Sequence, residues 1–275
     1  LGMAEPDQEQ LIQDLTGDFN VMFRLTDRVH QAVANWIALS HAASTSLQTV
    51  PEFHVGENLA FDGDQVFYYG ISNGHNVGGT YVAMSPHVER AAFSVGGCNF
   101  TLMMFRAMPF GALLFIIETM LSNPLQTQIF AAMAGPALDR IESGGYYEWI
   151  MEERLEGNPE TRNVVIHGGV GDTFVPNLAT QMHARALGLP LLQPSPRSVY
   201  GFSPADPPHA GSAYVEFESG VEEPLPGTYA QTAGEDNGVH GGVRAHPGSI
   251  QQIDEFFRSG TIDHFCDGVC VLDLE

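Results

Sequence analysis

Three residues of this chain have the types and surroundings to make a hydroxyl reactive: Ser72, Asp172 and His240. Ser72 stands in Gly70-Ile71-Ser72-Asn73-Gly74, directly after an apolar, aromatic run over residues 66–69. A serine hydroxyl is a poor nucleophile until an imidazole takes its proton. That imidazole needs a carboxylate to fix its tautomer and stabilise its charged form. Glycines two places before and two places after the serine permit a sharp strand-to-helix turn, where neighbours with side chains would clash. Such a turn lifts the hydroxyl clear of the sheet. It also aims the Asn73 backbone N–H and the start of a helix at whatever the serine binds, where negative charge is stabilised. Three fixed positions recur by chance, as an ordinary glycine-rich turn. The reading therefore depends on the elements around the motif and on the base and acid that follow it.

Those elements can be read in order. Residues 7–45 look helical, with Val21, Leu25, Val29, Val33, Trp36, Ile37 and Ala38 close to a 3.6-residue period. A loop covers 50–64, the strand and turn follow, and a helix is expected over 74–84. A second strand spans 91–95. Residues 99–157 read as a run of helices, strongly apolar over 110–121, amphipathic over 125–142 and mixed over 146–155. This block either caps the site or packs on a sheet face. The next strand is 163–167, and its closing loop carries Asp172 into a helix over 177–187. Residues 189–211, rich in proline and serine, read as an irregular surface excursion, and 212–218 as an alternating strand. A long loop then carries His240 to a last helix over 247–258, whose expected buried face is Ile250, Ile253, Phe256 and Phe257.

Strands alternating with helices predict an α/β fold with a mostly parallel sheet of about four strands and helices on both faces. Sites in such sheets form at the carboxyl ends of strands. Ser72 and Asp172 fall just past a strand's end, and His240 lies in the loop after another. Of the 11 histidines, His246, His209 and His167 are rival bases. Asp236 is close to His240 in sequence but follows no strand directly, which favours Asp172 as the acid.

Composition limits the partners. The formal charge is -22, from 33 acidic residues against 11 basic ones, all arginine. Phosphates would be repelled, which excludes nucleic acid and disfavours anionic substrates and anionic membranes. A high-salt habitat or a genome-level preference for arginine would both account for the charge. With 44% hydrophobic residues a substantial core is expected. The most apolar run, 102–121, contains Arg106, Pro109 and Glu118, which excludes a membrane span there. Cys266 and Cys270 could close a small disulfide loop, pointing to a secreted or periplasmic protein. A metal site is the rival, though no third and fourth ligand appear at matching spacing. Cys98 is left as a buried free thiol. The opening Leu1-Gly2-Met3 reads as processing or as a start within a longer protein.

The order Ser72, Asp172, His240, each after its own strand, resembles the α/β-hydrolase fold family of serine hydrolases, which includes esterases and lipases. The resemblance rests on residues 70–74, the 169–176 loop and His240 before the last helix, and covers roughly 66–258. It implies Ser72 as nucleophile, His240 as general base, Asp172 as its orienting acid and Asn73 as one oxyanion donor, with no cofactor and no metal. The implied reaction is hydrolysis of a neutral carboxylic ester through an acyl-enzyme. Amide cleavage or acyl transfer would use the same residues, and a non-catalytic subunit or binding module would keep the same scaffold. The core would be 66–98 and 163–258, with a helical cap at 99–162, a helical segment at 1–65 and a tail at 259–275. His75 stands where the family often has a small residue, and is expected to be packed or to form pocket wall. Family members carry further strands before the elbow strand, and a loop among them gives the second oxyanion donor. Residues before 66 read as helix and loop instead. The expectation is a carboxyl-terminal half whose amino-terminal half is a second chain, a piece cut from one precursor, or simply outside this stretch. The elbow strand would then lie at a raw sheet edge.

Overall fold

The structure, a computed structural model, describes residues 10, 13–14, 17–18, 20–121, 123–221 and 235–274. Its elements in chain order are α1 (Val21–Ala43), β1 (Val66–Ile71), α2 (Asn73–Met84), β2 (Val88–Ser94), α3 (Phe100–Met103), α4 (Gly111–Met120), α5 (Pro124–Leu138) and α6 (Tyr147–Met151). They continue with β3 (Asn163–Gly169), α7 (Asn177–Ala186), β4 (Leu191–Leu192), β5 (Pro204–Ala205), β6 (Ala213–Phe217), α8 (Val239–Ala245) and α9 (Pro247–Ser259). The start of the first helical stretch and most of the long loop before His240 lie outside the described residues.

These six strands form the main sheet in the order β1-β2-β3-β6-β4-β5, and every pairing within it is parallel; two antiparallel pairs of two-residue strands, His54–Val55 with Asn58–Leu59 and His209–Ala210 with Thr261–Ile262, lie outside it. Helices cover both faces, as the continuously apolar strands require. On one face Val33 of α1, Tyr81 and Val82 of α2, Ile150 of α6 and Ala184 of α7 pack on Phe93, Val164 and Ile166. On the other, Val239 and Val243 of α8 and Ile253 and Phe256 of α9 pack on Ala92, Val165 and Val215, with Leu272 of the tail among them. The α/β class is as expected, but the sheet has six strands rather than four. The two added strands are two-residue pieces inside the stretch read as an irregular excursion.

Two further expectations are corrected. β6 is buried at all five positions instead of alternating. Its Glu216 is accommodated by Arg197, whose Nε and Nη2 donate at 2.9 and 3.0 Å, by Gln181 and by the Tyr214 hydroxyl. A buried carboxylate with this many donors is compatible with a core strand. In α9, Ile250 is 55% exposed, and the inner face is Ser249, Gln252, Ile253 and Phe256. Ser249 and Gln252 turn inward because they bond both nitrogens of buried His167, at 2.9 and 2.7 Å.

The register aligns the strand ends: Ile71 beside Ser94, and Ser94 beside His167. Ser72, Val95 and the 170–172 loop therefore emerge side by side at one end of the sheet. β1 is the outermost strand on this side, and among the described residues no strand pairs with its outer edge. Phe67 and Tyr69 on it are exposed.

Candidate functional site

Ser72 leaves β1 with φ 55 and ψ -118, a left-handed backbone that a residue with a Cβ rarely adopts. Two hydrogen-bonding ties hold it there. Its N–H donates to the Ser94 carbonyl at 2.9 Å, and its own carbonyl accepts from His75 and Asn76 at 2.9 and 3.0 Å, which starts α2. Among the described residues, the other two non-glycine residues with positive φ are Val95 and Asn99, just past the end of neighbouring β2. Each costs of order 1–3 kcal/mol, and such backbone persists only where its surroundings over-determine it. Val95 in particular carries a branched side chain, and no sequence signal marks it. Asn73 opens α2, and its N–H has no hydrogen-bond acceptor among the described residues, as the first turn of a helix allows.

The motif glycines are not equivalent. A Cβ on Gly70 would lie 2.6 Å from the Gly74 carbonyl oxygen, whereas one on Gly74 would meet nothing nearer than the Tyr68 hydroxyl at 3.9 Å. Only the first glycine is required sterically, which corrects the expectation that both are.

Asp172 sits in the loop after β3, where two asparagines brace it. Asn177 accepts from Gly171 N–H at 2.8 Å and donates to the Gly169 carbonyl, and Asn237 donates to the Gly171 carbonyl at 2.8 Å. One carboxylate oxygen of Asp172 accepts from the Phe174 and Val175 N–H groups at 2.8 and 3.2 Å. The other lies 2.9 Å from His240 Nδ1. Both residues are buried. A neutral ring facing a carboxylate carries its proton on Nδ1, which leaves Nε2 able to accept another. The Phe174 ring stacks on the imidazole, with centroids 4.7 Å apart.

His240 is in helix α8, not in a loop as expected. The short helix forms because Val239 and Val243 pack on Gly169 and Leu272, and because Gly242 lets Leu272 and Leu274 of the tail approach. The rival histidines are engaged elsewhere. His167 is locked between Ser249 and Gln252. His246 accepts from Gly248 N–H, and His209 bonds the Ser212 carbonyl. Asp236 caps the turn at Gly238.

Ser72 and Asn73 lie on the wall of a cavity of about 460 Å³. Among the described residues no charged side chain lines it. Its walls come from α1 (Met22, Leu25), from the 99–141 block (Met103, Phe110, Leu113) and from Phe174 and Val175, the residues that follow Asp172. Phe174 thus has one ring on His240 and in the wall that Ser72 shares. Among the described residues the Ser72 hydroxyl has no hydrogen bond to His240. The structure therefore joins Asp172 to His240 and brings Ser72 to the same cavity wall. It does not join the serine to the base. No local pattern in the sequence marks the roles of Phe174, Asn177 and Asn237. An asparagine one residue past Pro176 at a helix start was the one available hint.

His75 is fully buried behind the turn, not in the cavity wall. Its Nε2 is 2.9 Å from His183 Nδ1, and its ring stacks on Phe93. Burial, and secondarily the neighbouring His183, holds its pKa well below the ordinary value. Burial also pushes His183 down to about 3 and His167 to about 4. Glu142, whose carboxylate caps α3 by accepting from Phe100 N–H at 2.8 Å, is pushed up to about 7, chiefly by burial. The signs oppose. The depressed histidines contribute stability that is present above about pH 6.5 and lost as pH falls below it. The raised Glu142 contributes stability present below its ordinary value and lost as pH rises through about 7. Depressed histidines outnumber the one raised carboxyl, so stability should fall between pH 7 and pH 5. Glu142→Gln should raise stability at pH 8 and make that acid loss steeper. Urea-unfolding midpoints at pH 5, 7 and 8 measure both; a flat profile, or no gain at pH 8, would contradict these assignments.

Cys266 and Cys270 are joined in a disulfide, and Cys98 is free and buried, its thiol pushed up to about 12 by burial. His246 lies within reach of the two sulfurs, but the disulfide leaves no thiolate there to hold a metal. No described helix is long and apolar enough to cross a membrane. Comparison with protein-family models, with curated proteins and with solved structures found no match to this chain.

Proposed function

We propose that this chain is the catalytic part of a serine hydrolase of the α/β-hydrolase type, cleaving neutral carboxylic esters through an acyl-enzyme. The observation that carries the reading is the buried Asp172–His240 pair at the same strand ends as Ser72, whose backbone is held in a sparsely populated conformation. In this reading His240 Nε2 takes the Ser72 proton as the oxygen attacks the ester carbonyl. The Asn73 N–H stabilises the oxyanion, and the leaving alcohol departs with the proton from His240. Water then repeats the sequence on the acyl-serine. A free serine–histidine hydrogen bond is often long before substrate binds. The uncharged cavity supports an apolar acyl group, and its volume suits a small molecule. The disulfide supports a secreted or periplasmic setting.

The reading includes a partner. β1 carries the nucleophile yet has an open outer edge with exposed Phe67 and Tyr69, and an all-parallel sheet is ordinarily covered. A further polypeptide segment, upstream or on a second chain, would add a strand beside β1 and bring a second oxyanion donor to Ser72.

The test is turnover of p-nitrophenyl esters of increasing acyl length. Wild-type protein should favour longer acyl groups, and Ser72→Ala should reduce turnover about 10³-fold or more. Equal activity in Ser72→Ala would refute the nucleophile. A second reading, a binding module on the same scaffold, is favoured by the unmade serine–histidine bond and the single candidate oxyanion donor. Absence of activity both with and without a strand-donating partner would support it.

A further inference from the structure

Among the described residues that line the Ser72 cavity, only Ser72, Asn73 and Asn76 carry polar side chains. Asn73 is exposed, whereas Asn76 is 6% exposed. The Asn76 amide has one orientation. Gly97 N–H donates to its Oδ1 at 2.9 Å, so the oxygen faces Gly97 and Nδ2 takes the other side. Gly97 is itself held in place. The next N–H, that of Cys98, donates to the Ala179 carbonyl at 3.2 Å, and a Cβ on Gly97 would lie 2.6 Å from the Thr180 nitrogen. Among the described residues no group accepts from Asn76 Nδ2. A buried donor without an acceptor is uncommon, and at a cavity wall it marks where a ligand atom belongs.

The place of Asn76 in the fold says which ligand atom. It lies in α2 four residues beyond Ser72, and its backbone N–H helps to hold the Ser72 carbonyl. Helical side chains lean toward the helix N-terminus, here toward the Ser72 turn. Asn76 follows Asn73 by one helical turn, about 5 Å along the axis. We propose that Asn76 Nδ2 donates a hydrogen bond to an oxygen within the acyl group, so that the cavity selects esters of oxygen-bearing acids over esters of unsubstituted ones. This rests on the hydrolase reading and narrows its substrate class. The carbon chain packs on Met103, Phe110 and Leu113, and one oxygen a few bonds from the scissile carbonyl meets the amide. The net charge of -22 and the uncharged wall disfavour a carboxylate as that acceptor, which leaves a neutral oxygen. A purely hydrocarbon chain strips the amide of water and offers it nothing in return.

The experiment measures kcat/KM for p-nitrophenyl esters in isosteric pairs: methoxyacetate with butyrate, β-methoxypropionate with pentanoate, and γ-methoxybutyrate with hexanoate. Each pair exchanges one methylene for an ether oxygen. The intrinsic reactivity difference within a pair is common to all variants, so a change in the ether-to-hydrocarbon ratio between variants reports the protein alone. Asn76→Asp keeps an oxygen for Gly97 N–H and replaces the donor with an acceptor. At neutral pH it should lower the ratio about tenfold or more in at least one pair. Asn76→Leu, which introduces no charge, should lower the same ratio; if it does not fold, Asn76→Asp alone decides. Fluorophosphonate labelling of Ser72 in each preparation separates the two ideas. Labelled Ser72 with an unchanged ratio in all three pairs overturns the inference and leaves the hydrolase reading standing. Unlabelled Ser72 in the wild-type protein overturns both.

Discussion

Asp172→Asn should lower kcat for ester hydrolysis about 10³- to 10⁴-fold while leaving the fold intact. The amide oxygen can still accept from the Phe174 and Val175 N–H groups, so the loop keeps its local bonds. What changes is the side that faces His240 Nδ1, now 2.9 Å from a carboxylate oxygen. An NH₂ group there requires Nδ1 to be the acceptor, which puts the ring proton on Nε2. That nitrogen can then no longer take the serine proton. Unfolding midpoints should shift by no more than about 1 kcal/mol, which separates the tautomer effect from collapse of the site. A loss of less than tenfold would mean that this carboxylate does not orient the base.

Gly70→Ala should cost about 3 kcal/mol or more and remove activity with it, because the added methyl collides with backbone. The Gly74 carbonyl oxygen would be 2.6 Å away and its carbon 2.8 Å, and neither can move without unwinding the first turn of α2. Gly74→Ala is the matched control. Its Cβ has room and its position is helical, so it should be neutral or stabilise by up to about 1 kcal/mol, with activity kept. Thermal unfolding and ester turnover of the two variants give the comparison. Similar behaviour of both would show that the turn is looser than its geometry implies.

The difference between these glycines illustrates what could be read from sequence and what could not. The strand, the turn and the helix around Ser72 follow from a local pattern, and their boundaries are nearly as expected. Asp172 was legible because its loop directly follows an apolar strand. The sequence marks His240 by its order after Asp172 but gives its surroundings as a loop. Its helix contains Gly241 and Gly242, which locally disfavour helix, and tail residues Leu272 and Leu274 supply the packing that overrides this. β4 and β5 escaped notice because two-residue strands beside prolines carry no period; the neighbouring β6 defines them. Apolar spacing alone puts Ile250 inside. That count ignores Ser249 and Gln252, which are inside because His167 needs two hydrogen-bond partners. The unexpected features of the site are also non-local. Phe174 reaches His240 across 66 residues of sequence (240 − 174), and the strained backbone of Val95 is determined by its neighbours rather than by its own side chain.

The most direct measurement of the central claim is covalent labelling with a fluorophosphonate, followed by mass spectrometry of the peptides. A hydroxyl activated by His240 should displace fluoride and retain one phosphonyl group per chain on Ser72, with no adduct in Ser72→Ala and a much slower one in His240→Ala. An adduct on another residue, or an equal yield in Ser72→Ala, would contradict the assignment of Ser72 as the nucleophile.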